Sequence, residues 1–364
     1  MTSNGDGTIS AFKQAQMRHR RQGAAPNRVD DLDDMLDFSS SNNSDLTYSV
    51  KLPPSKEKMY EGPLFGIHGF PGFLYAPQAL SVSLQTELAF GAVSEYCEAP
   101  HATNIDLVPP KTAKEENNVN QSMWELWKEQ NASTEEANGK TLKKYRCFAK
   151  LSWATMGYQY DWTARAYHEG AKSPVPILLK ELATLFARSL TTDFKPEACI
   201  ANFYHLKSIM GGHRDDLELA LDKPVISISL GLPAVFLLGG KAKNDVPVIP
   251  ILVRPGDVMI LGGESRLNFH GMARVFPGEV ILPSLSKDLV YPKSFQLTSK
   301  MVLSSTNSEK GGEELSTDGV TLPESDQIAL RAFLSNNRIN INVRQVLPDG
   351  MNKLPDMPDN THAS

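Results

Sequence analysis

Residues 202–216 read NFYHLKSIMGGHRDD. The segment 199–205 leading into them is a strand candidate, because Ile, Phe and Tyr crowd it and a polar turn comes after it. Two glycines then bring the backbone to His213, with Asp215 two positions on. On an extended chain, side chains two apart point to the same side, so this pair can close on one object. Asp216 is the rival acid, and in that reading it points to the opposite side. Spacing alone is weak support: 8 histidines and 42 acidic residues in 364 give about one His-x-acid pair by chance. A solvated turn is the competing reading, until something else joins the pair.

Beyond this stretch runs a series of short strand candidates, at 224–230, 233–238, 247–253, 257–261, 272–276 and 338–346. Turn signals punctuate them: LGLP at 230–233, GGKAKND at 239–245 and RPGD at 254–257. Short strands at such intervals predict a mainly β, α+β fold built on an antiparallel sandwich or jelly roll, with flanking helices. Helices are expected near 77–97, over 174–190 and over 324–335. In the second of these, Pro174 and Pro176 suit the start, and Ile177, Leu178, Leu182, Leu185 and Phe186 form a stripe.

Composition bounds the remaining choices. Hydrophobic residues make up 41% and charged residues 22% of the chain, which describes a globular protein with ample core. No apolar run reaches the roughly 18–20 residues of a membrane span. The first 25 residues hold no apolar block of the secretory kind. They do carry Lys13, Arg18, Arg20 and Arg21, so mitochondrial targeting stands as an alternative to the cytoplasm or nucleus. Cys97, Cys147 and Cys199 lie far apart with no CxxC, which suggests a reducing compartment and no zinc site of cysteines. A net charge of −5 means that any nucleic acid must be attracted by a local groove.

The organisation expected is a disordered arm at 1–58 and an N-terminal extension and lid at 59–197, with a polar insertion at 100–142. A sandwich domain at 198–347 comes next, with a surface insertion at 277–323, and then a tail at 348–364. Nothing signals oligomerisation, and a monomer is expected.

Two further features join the His-x-Asp pair. GDVMILGG, 256–263, is followed by ESRLNFH, which ends at His270, and strand pairing can bring that histidine to the other two residues. Two histidines and one carboxylate leave the opposite face of an ion open, which suits Fe(II) with a chelating cosubstrate and O₂. Zinc would close tetrahedrally around a water with the same ligands, so ligand type leaves both metals open. The last strand, RININVR at 338–344, sets Arg338, Asn340, Asn342 and Arg344 on one face and Ile339, Ile341 and Val343 on the other. Arginine grips a carboxylate through two parallel charge-assisted bonds, whereas an edge strand with solvated arginines is the bland reading.

With these motifs the chain resembles the AlkB family of Fe(II)/2-oxoglutarate dioxygenases, most of all its eukaryotic homologue 1 branch. The likeness covers 145–276 and 324–347 strongly, 60–97 weakly and 11–40 faintly. NFYHLKSIMGGHRDD, SISLGLPAVFLLGG, GDVMILGGESRLNFHGMARV and RININVRQVL carry it, in family order. It implies a double-stranded β-helix with an N-terminal nucleotide-recognition extension. Iron would be held by His213, Asp215 and His270, with 2-oxoglutarate as cosubstrate beside O₂. Arg338, helped by Tyr204, would grip the distal carboxylate. Asn202, Asn340 and Arg344 would line the same pocket, and Arg344 would also fix Asp215. For His205, Ser227 and Ser229 a hydrogen-bonding role within the sheet is the better reading.

LSWATMGYQYDW, 151–162, resembles the family's aromatic region over the active site. An enzyme that acts on a base must hold it between flat side chains, which Trp153, Tyr158 and Tyr160 can supply. Trp162 reads better as core. Lys243 and the cluster KKYR, 143–146, are weaker candidates for phosphate contacts. The implied activity is oxidative demethylation of N-methylated bases, tRNA before DNA, with release of formaldehyde, CO₂ and succinate. A hydroxylase or demethylase of protein side chains, or a non-enzymatic nucleic-acid-binding relative, is the alternative.

Overall fold

Alternation along β-strands, and its interruption at glycines and prolines, builds the architecture. The computed structural model describes residues 9–20, 34–39, 45–52, 60–107, 122–132, 147–161, 165–191, 193–277, 296–297 and 320–355. Its N-terminal part holds α1 (Ala11–His19), β1 (Thr47–Ser49), β2 (Phe65–Ile67), β3 (Phe73–Ala76), α2 (Val82–Ser94), β4 (Ala102–Thr103) and α3 (Met123–Ala132). Next come β5 (Trp153–Asp161), β6 (Ala166–Lys172), α4 (Ile177–Ala187), β7 (Ala198–His205), β8 (Met210–His213), β9 (Val225–Gly231) and β10 (Ala234–Leu238). The last are β11 (Ile249–Val253), β12 (Val258–Leu261), β13 (His270–Val275), β14 (Gln296–Leu297), β15 (Val320–Thr321), α5 (Glu324–Leu334) and β16 (Asn337–Arg344).

The strands form a large sheet in the order β1-β2-β3-β12-β9-β16-β7-β5-β4, with β6 also on β5, and a small sheet in the order β11-β10-β13-β8. From β7 onward the chain passes back and forth between them: β7, β9, β12 and β16 lie in the large sheet, and β8, β10, β11 and β13 in the small one. All their pairings are antiparallel. This is the jelly roll expected from the strand spacing, in its double-stranded β-helix form.

In β16 the two faces part as the alternation predicts. Ile339, Ile341 and Val343 are fully buried under the helices, in a core with Leu179, Phe186, Phe203, Ile228, Leu330 and Phe333. The opposite face of the large sheet carries matched rows: Arg338 opposes Tyr204, Asn340 opposes Asn202, and Asn342 opposes Ile200.

Several expectations change. Strands of the expected extension at 59–197 join the large sheet, where β3 pairs with β12 and β5 with β7. The arm at 1–58 is not simply disordered: α1 buries Phe12 and Gln16, and Leu36 bridges to Ile251. Within the supposed polar insertion, α3 places Met123, Trp124 and Leu126 in the core, and Trp124 Nε1 donates to Asp326 at 2.7 Å. Three apolar residues on one side of a polar helix suffice for docking, though they are too few to set the segment's average composition. In α4 the buried stripe is Leu179, Leu182, Ala183, Phe186 and Ala187, and Ile177 is 73% exposed, because it lies about half a turn from Leu179, on the opposite side of the helix. The tail is packed at its start, where Leu354 is buried and its N–H donates to Glu169 at 2.8 Å. Trp162, KKYR and most of 277–323 lie outside the described residues.

Candidate metal centre and cosubstrate pocket

Three chain segments meet where the small sheet faces the large one. His213 closes β8 and His270 opens β13, and the two are register partners. Asp215 lies two residues beyond β8. One ligating atom from each of the three lies within 4.8 Å of the others. Asp215 Oδ1 is 4.0 Å from His213 Nε2, and Asp215 Oδ2 is 3.9 Å from His270 Nε2. Strand pairing thus brings the distant histidine to the His-x-Asp pair. Asp216 stays outside the cluster and takes an ion pair from Arg214 at 3.3 Å.

The tautomers favour a cation. His213 Nδ1 donates to Gly211 O at 2.9 Å, and His270 Nδ1 donates to Asn268 O at 3.1 Å. Each Nε2 then keeps its lone pair for the shared space, as in metal-binding histidines whose other nitrogen is tied to a carbonyl. Burial, with His213 close by, pushes the His270 pKa down to about 4. Burial alone would raise the Asp215 pKa, but Arg344, His270, His213 and Arg266 outweigh it and hold the carboxyl well below the usual range. Two imidazoles whose Nε2 atoms share one space with an ionised carboxylate form the donor set that suits Fe(II).

Asp215 is held from behind by a network that the sequence hid. Arg344 Nη2 donates to Asp215 Oδ2 at 2.8 Å, in line with the expected role of Arg344. Arg266, on a short helical turn at Gly263–Leu267, donates to the Asp215 backbone carbonyl and at 2.9 Å to Glu218. Glu218 also accepts from the Tyr167 hydroxyl at 2.7 Å. Arg266 and Glu218 are both buried, so each charge needs the other. Their only signal in the sequence is closeness to the ligands, and nothing there announces that they pair.

Across the cavity stands Arg338, 3% exposed. Its Nη1 donates to Leu232 O at 3.1 Å and its Nη2 to Ser229 Oγ at 3.0 Å, while Nε is buried without a partner. Among the described residues no carboxylate pairs with it, and burial lowers its pKa. A buried guanidinium without a counter-ion costs several kcal/mol, which a bound carboxylate removes. Tyr204, Ser227, Asn340, Asn342 and Arg338 line one cavity with the three candidate ligands. That arrangement fits a dicarboxylate reaching from the metal to Arg338. Asn340 is tied to Ser227 Oγ at 2.8 Å, so both serines act as hydrogen-bonded parts of the sheet. His205 likewise binds Asn337 at 2.6 Å.

A second opening, lined by Tyr160, Arg165, Asn202, Arg214 and Leu217, leads to His213 and Asp215 from outside. Asn202 therefore borders this groove rather than the cosubstrate cavity. Tyr160 meets Tyr167 edge-on at 5.4 Å. Trp153 is half-buried and opposes Asn202 in the sheet register. Tyr158 corrects its expected role: it is 4% exposed, its hydroxyl donates to Glu169 at 2.9 Å, and Lys172 covers its ring. Tyr158 packs there with Tyr167, Ala198, Val346, Leu347 and Leu354, just after Gly157, whose φ of +76° falls at a place where a Cβ would strike Glu197 O. Lys243 lies over the Phe269 ring at 5.7 Å.

Comparison with known proteins agrees with this geometry. The family model of the 2OG-Fe(II) oxygenase superfamily matches residues 106–344. The DNA N(6)-methyladenine demethylase ALKBH1A of Arabidopsis thaliana is 32% identical over 305 residues, 75% of this chain and 87% of the relative. The nucleic acid dioxygenase ALKBH1 of Homo sapiens is 30% identical over 343 residues, 92% and 78% of the two chains. The tRNA demethylase abh1 of Schizosaccharomyces pombe is 37% identical over 132 residues, 35% and 43% of the two. By these matches the chain belongs to the 2OG-Fe(II) oxygenase superfamily, as an Fe(II)- and 2-oxoglutarate-dependent dioxygenase of the AlkB family.

Proposed function

We propose that the chain oxidatively demethylates N-methylated nucleobases in nucleic acid, tRNA first and DNA second. The observation that carries the proposal is the facing pair within one cavity: a His-Asp-His cluster on one wall and an uncompensated buried Arg338 on the other. Iron, 2-oxoglutarate and O₂, when bound, supply the oxidation of the methyl C–H bond, with CO₂ and succinate as by-products. The residues of the chain do the placing. Arg338 and Tyr204 hold the far carboxylate, and Arg344 keeps Asp215 aimed at the ion. The apolar walls made by Phe236, Met259 and Leu261 keep water out. A hydroxylated N-methyl group then sheds formaldehyde by itself, so no further acid or base is needed at the base nitrogen.

The groove beside Tyr160 and Trp153 is our choice for the target base, with Arg165 and Arg214 at its rim for phosphate. The names of the relatives, a DNA demethylase and a tRNA demethylase, support nucleic acid as the substrate class. We take the working unit to be a monomer in the cytoplasm or nucleus, with mitochondria as the alternative. No helix among the described residues is long and apolar enough to cross a membrane.

The test is mass spectrometry of methylated tRNA and DNA oligonucleotides incubated with Fe(II), 2-oxoglutarate and O₂. Loss of 14 mass units per methyl group is the expected result. Succinate formed with every oligonucleotide unchanged would overturn the nucleobase reading and favour a protein side chain. No succinate at all would favour a non-enzymatic relative.

A further inference from the structure

The helix α1 has no place in the chemistry described so far, yet it touches both segments that present the imidazoles. Its sequence is AFKQAQMRH, capped by Ser10, whose hydroxyl accepts from Lys13 N at 3.3 Å. Phe12 and Gln16 are four apart and share a face. They are 3% and 2% exposed, which is unusual for a glutamine.

The surface beneath them is made for this helix. A Cβ on Gly212, next to His213, would lie 2.5 Å from the Phe12 ring, and one on Gly239 would lie 2.9 Å from it. The Phe12 ring also meets that of Phe269, next to His270, at 6.4 Å. Gly239 N–H donates to Phe269 O at 2.8 Å, and Phe12 N–H donates to Lys243 O at 3.0 Å. Gln16 Nε2 donates to Met210 O at 2.9 Å, an acceptor in β8.

That strand needs support. β8 has four residues, two of them glycine, and lies at the edge of the small sheet with β13 as its one neighbour. A glycine-rich edge segment opens at small free-energy cost. A metal centre tolerates only a few tenths of an ångström in its ligand positions.

We propose that α1 is a clamp on the metal centre, with Phe12 and Gln16 as positioning residues that set the separation of the His213 and His270 imidazoles. The proposal rests on the metal reading of the His-Asp-His cluster. Phe12 fills the space over two glycine backbones, which themselves carry no side chain to fill it. Gln16 holds the outer edge of β8, which no strand among the described residues pairs.

The test is Co(II) titration of metal-free full-length protein, monitored by the visible absorption of the bound ion. Phe12→Ala is expected to weaken Co(II) binding about tenfold, the lower end for residues that orient ligands, and to alter the Co(II) spectrum. Phe12→Leu recovers most of the affinity, and Gln16→Ala costs about threefold, as for one hydrogen bond. Leu36→Ala is the control: it loses packing on β11, which pairs with neither ligand strand, and its Co(II) affinity stays within twofold despite a lower unfolding midpoint. If Phe12→Ala fails to fold, Phe12→Leu and Gln16→Ala against Leu36→Ala decide the matter. The clamp is overturned if the folded α1 variants bind Co(II) like wild type, or if Leu36→Ala shifts binding equally. Wild type that binds no Co(II) overturns the metal centre, and the clamp with it.

Discussion

Replacement of Arg338 by Met exposes the logic of the cosubstrate pocket. The side chain is buried, and its two hydrogen bonds leave Nε and further guanidinium hydrogens unused. A carboxylate arriving there makes two charge-assisted bonds, each worth at least about 1.5 kcal/mol. Their loss is about 3 kcal/mol, so 2-oxoglutarate should bind Arg338→Met about 100-fold more weakly. The stability of the unliganded protein should move the other way. Met removes a buried charge that lacks a carboxylate partner, so the unfolding midpoint should hold or rise. In wild type, ligand at about 100 times Kd should add about 2.7 kcal/mol of stability, and in the variant this gain should fall to about 0.4 kcal/mol at the same concentration. Calorimetric titration of Mn(II)-loaded protein without O₂ gives the affinity, and thermal melts with and without 2-oxoglutarate give the stability. A folded variant that binds 2-oxoglutarate within threefold of wild type would refute the pairing of Arg338 with the distal carboxylate.

The metal cluster carries two more expected outcomes. Asp215→Ala should abolish stoichiometric Co(II) binding, measured by elemental analysis after gel filtration, while Asp216→Ala should bind one ion per chain; equal loss in both would make Asp216 a ligand. The metal-free protein should also lose stability in acid. His270 keeps its pKa near 4 in the fold, against 6.5 when exposed, so the unfolded chain takes up a proton that the folded one refuses. Stability therefore falls as pH drops from about 6.5 to about 4, by about 3 kcal/mol from this one residue. Denaturant titrations across that range should show His270→Leu with a correspondingly flatter profile, and an unchanged slope would refute the assignment.

The strand candidates at 199–205, 224–230 and 338–346 are legible because their periodicity is local and each face keeps one environment. β16 is the clearest case, with isoleucines and valine towards the helices and arginines and asparagines towards the cavity. α3 is not legible, because three core residues inside a polar segment look like noise until α5 offers Asp326. Tyr158 departs from its expected place because Val346, Leu347 and Leu354, far along the chain, pack with it. α1 escapes notice for a related reason: nine residues of low hydropathy dock through one phenylalanine and one glutamine.

Residue types and their order along the chain carried the His-x-Asp pair, the two-faced last strand and several of the core strands, since each depends on neighbours a few positions apart. Convergence was another matter. The pairing of β8 with β13 brings His270 beside His213, the fold back onto Arg266 and Glu218 steadies Asp215, and a helix from the far N-terminus backs the glycines of the ligand turn. Those contacts join residues tens to hundreds of positions apart, and their energies exist only once loop closure has been overcome by packing. No local pattern can announce them.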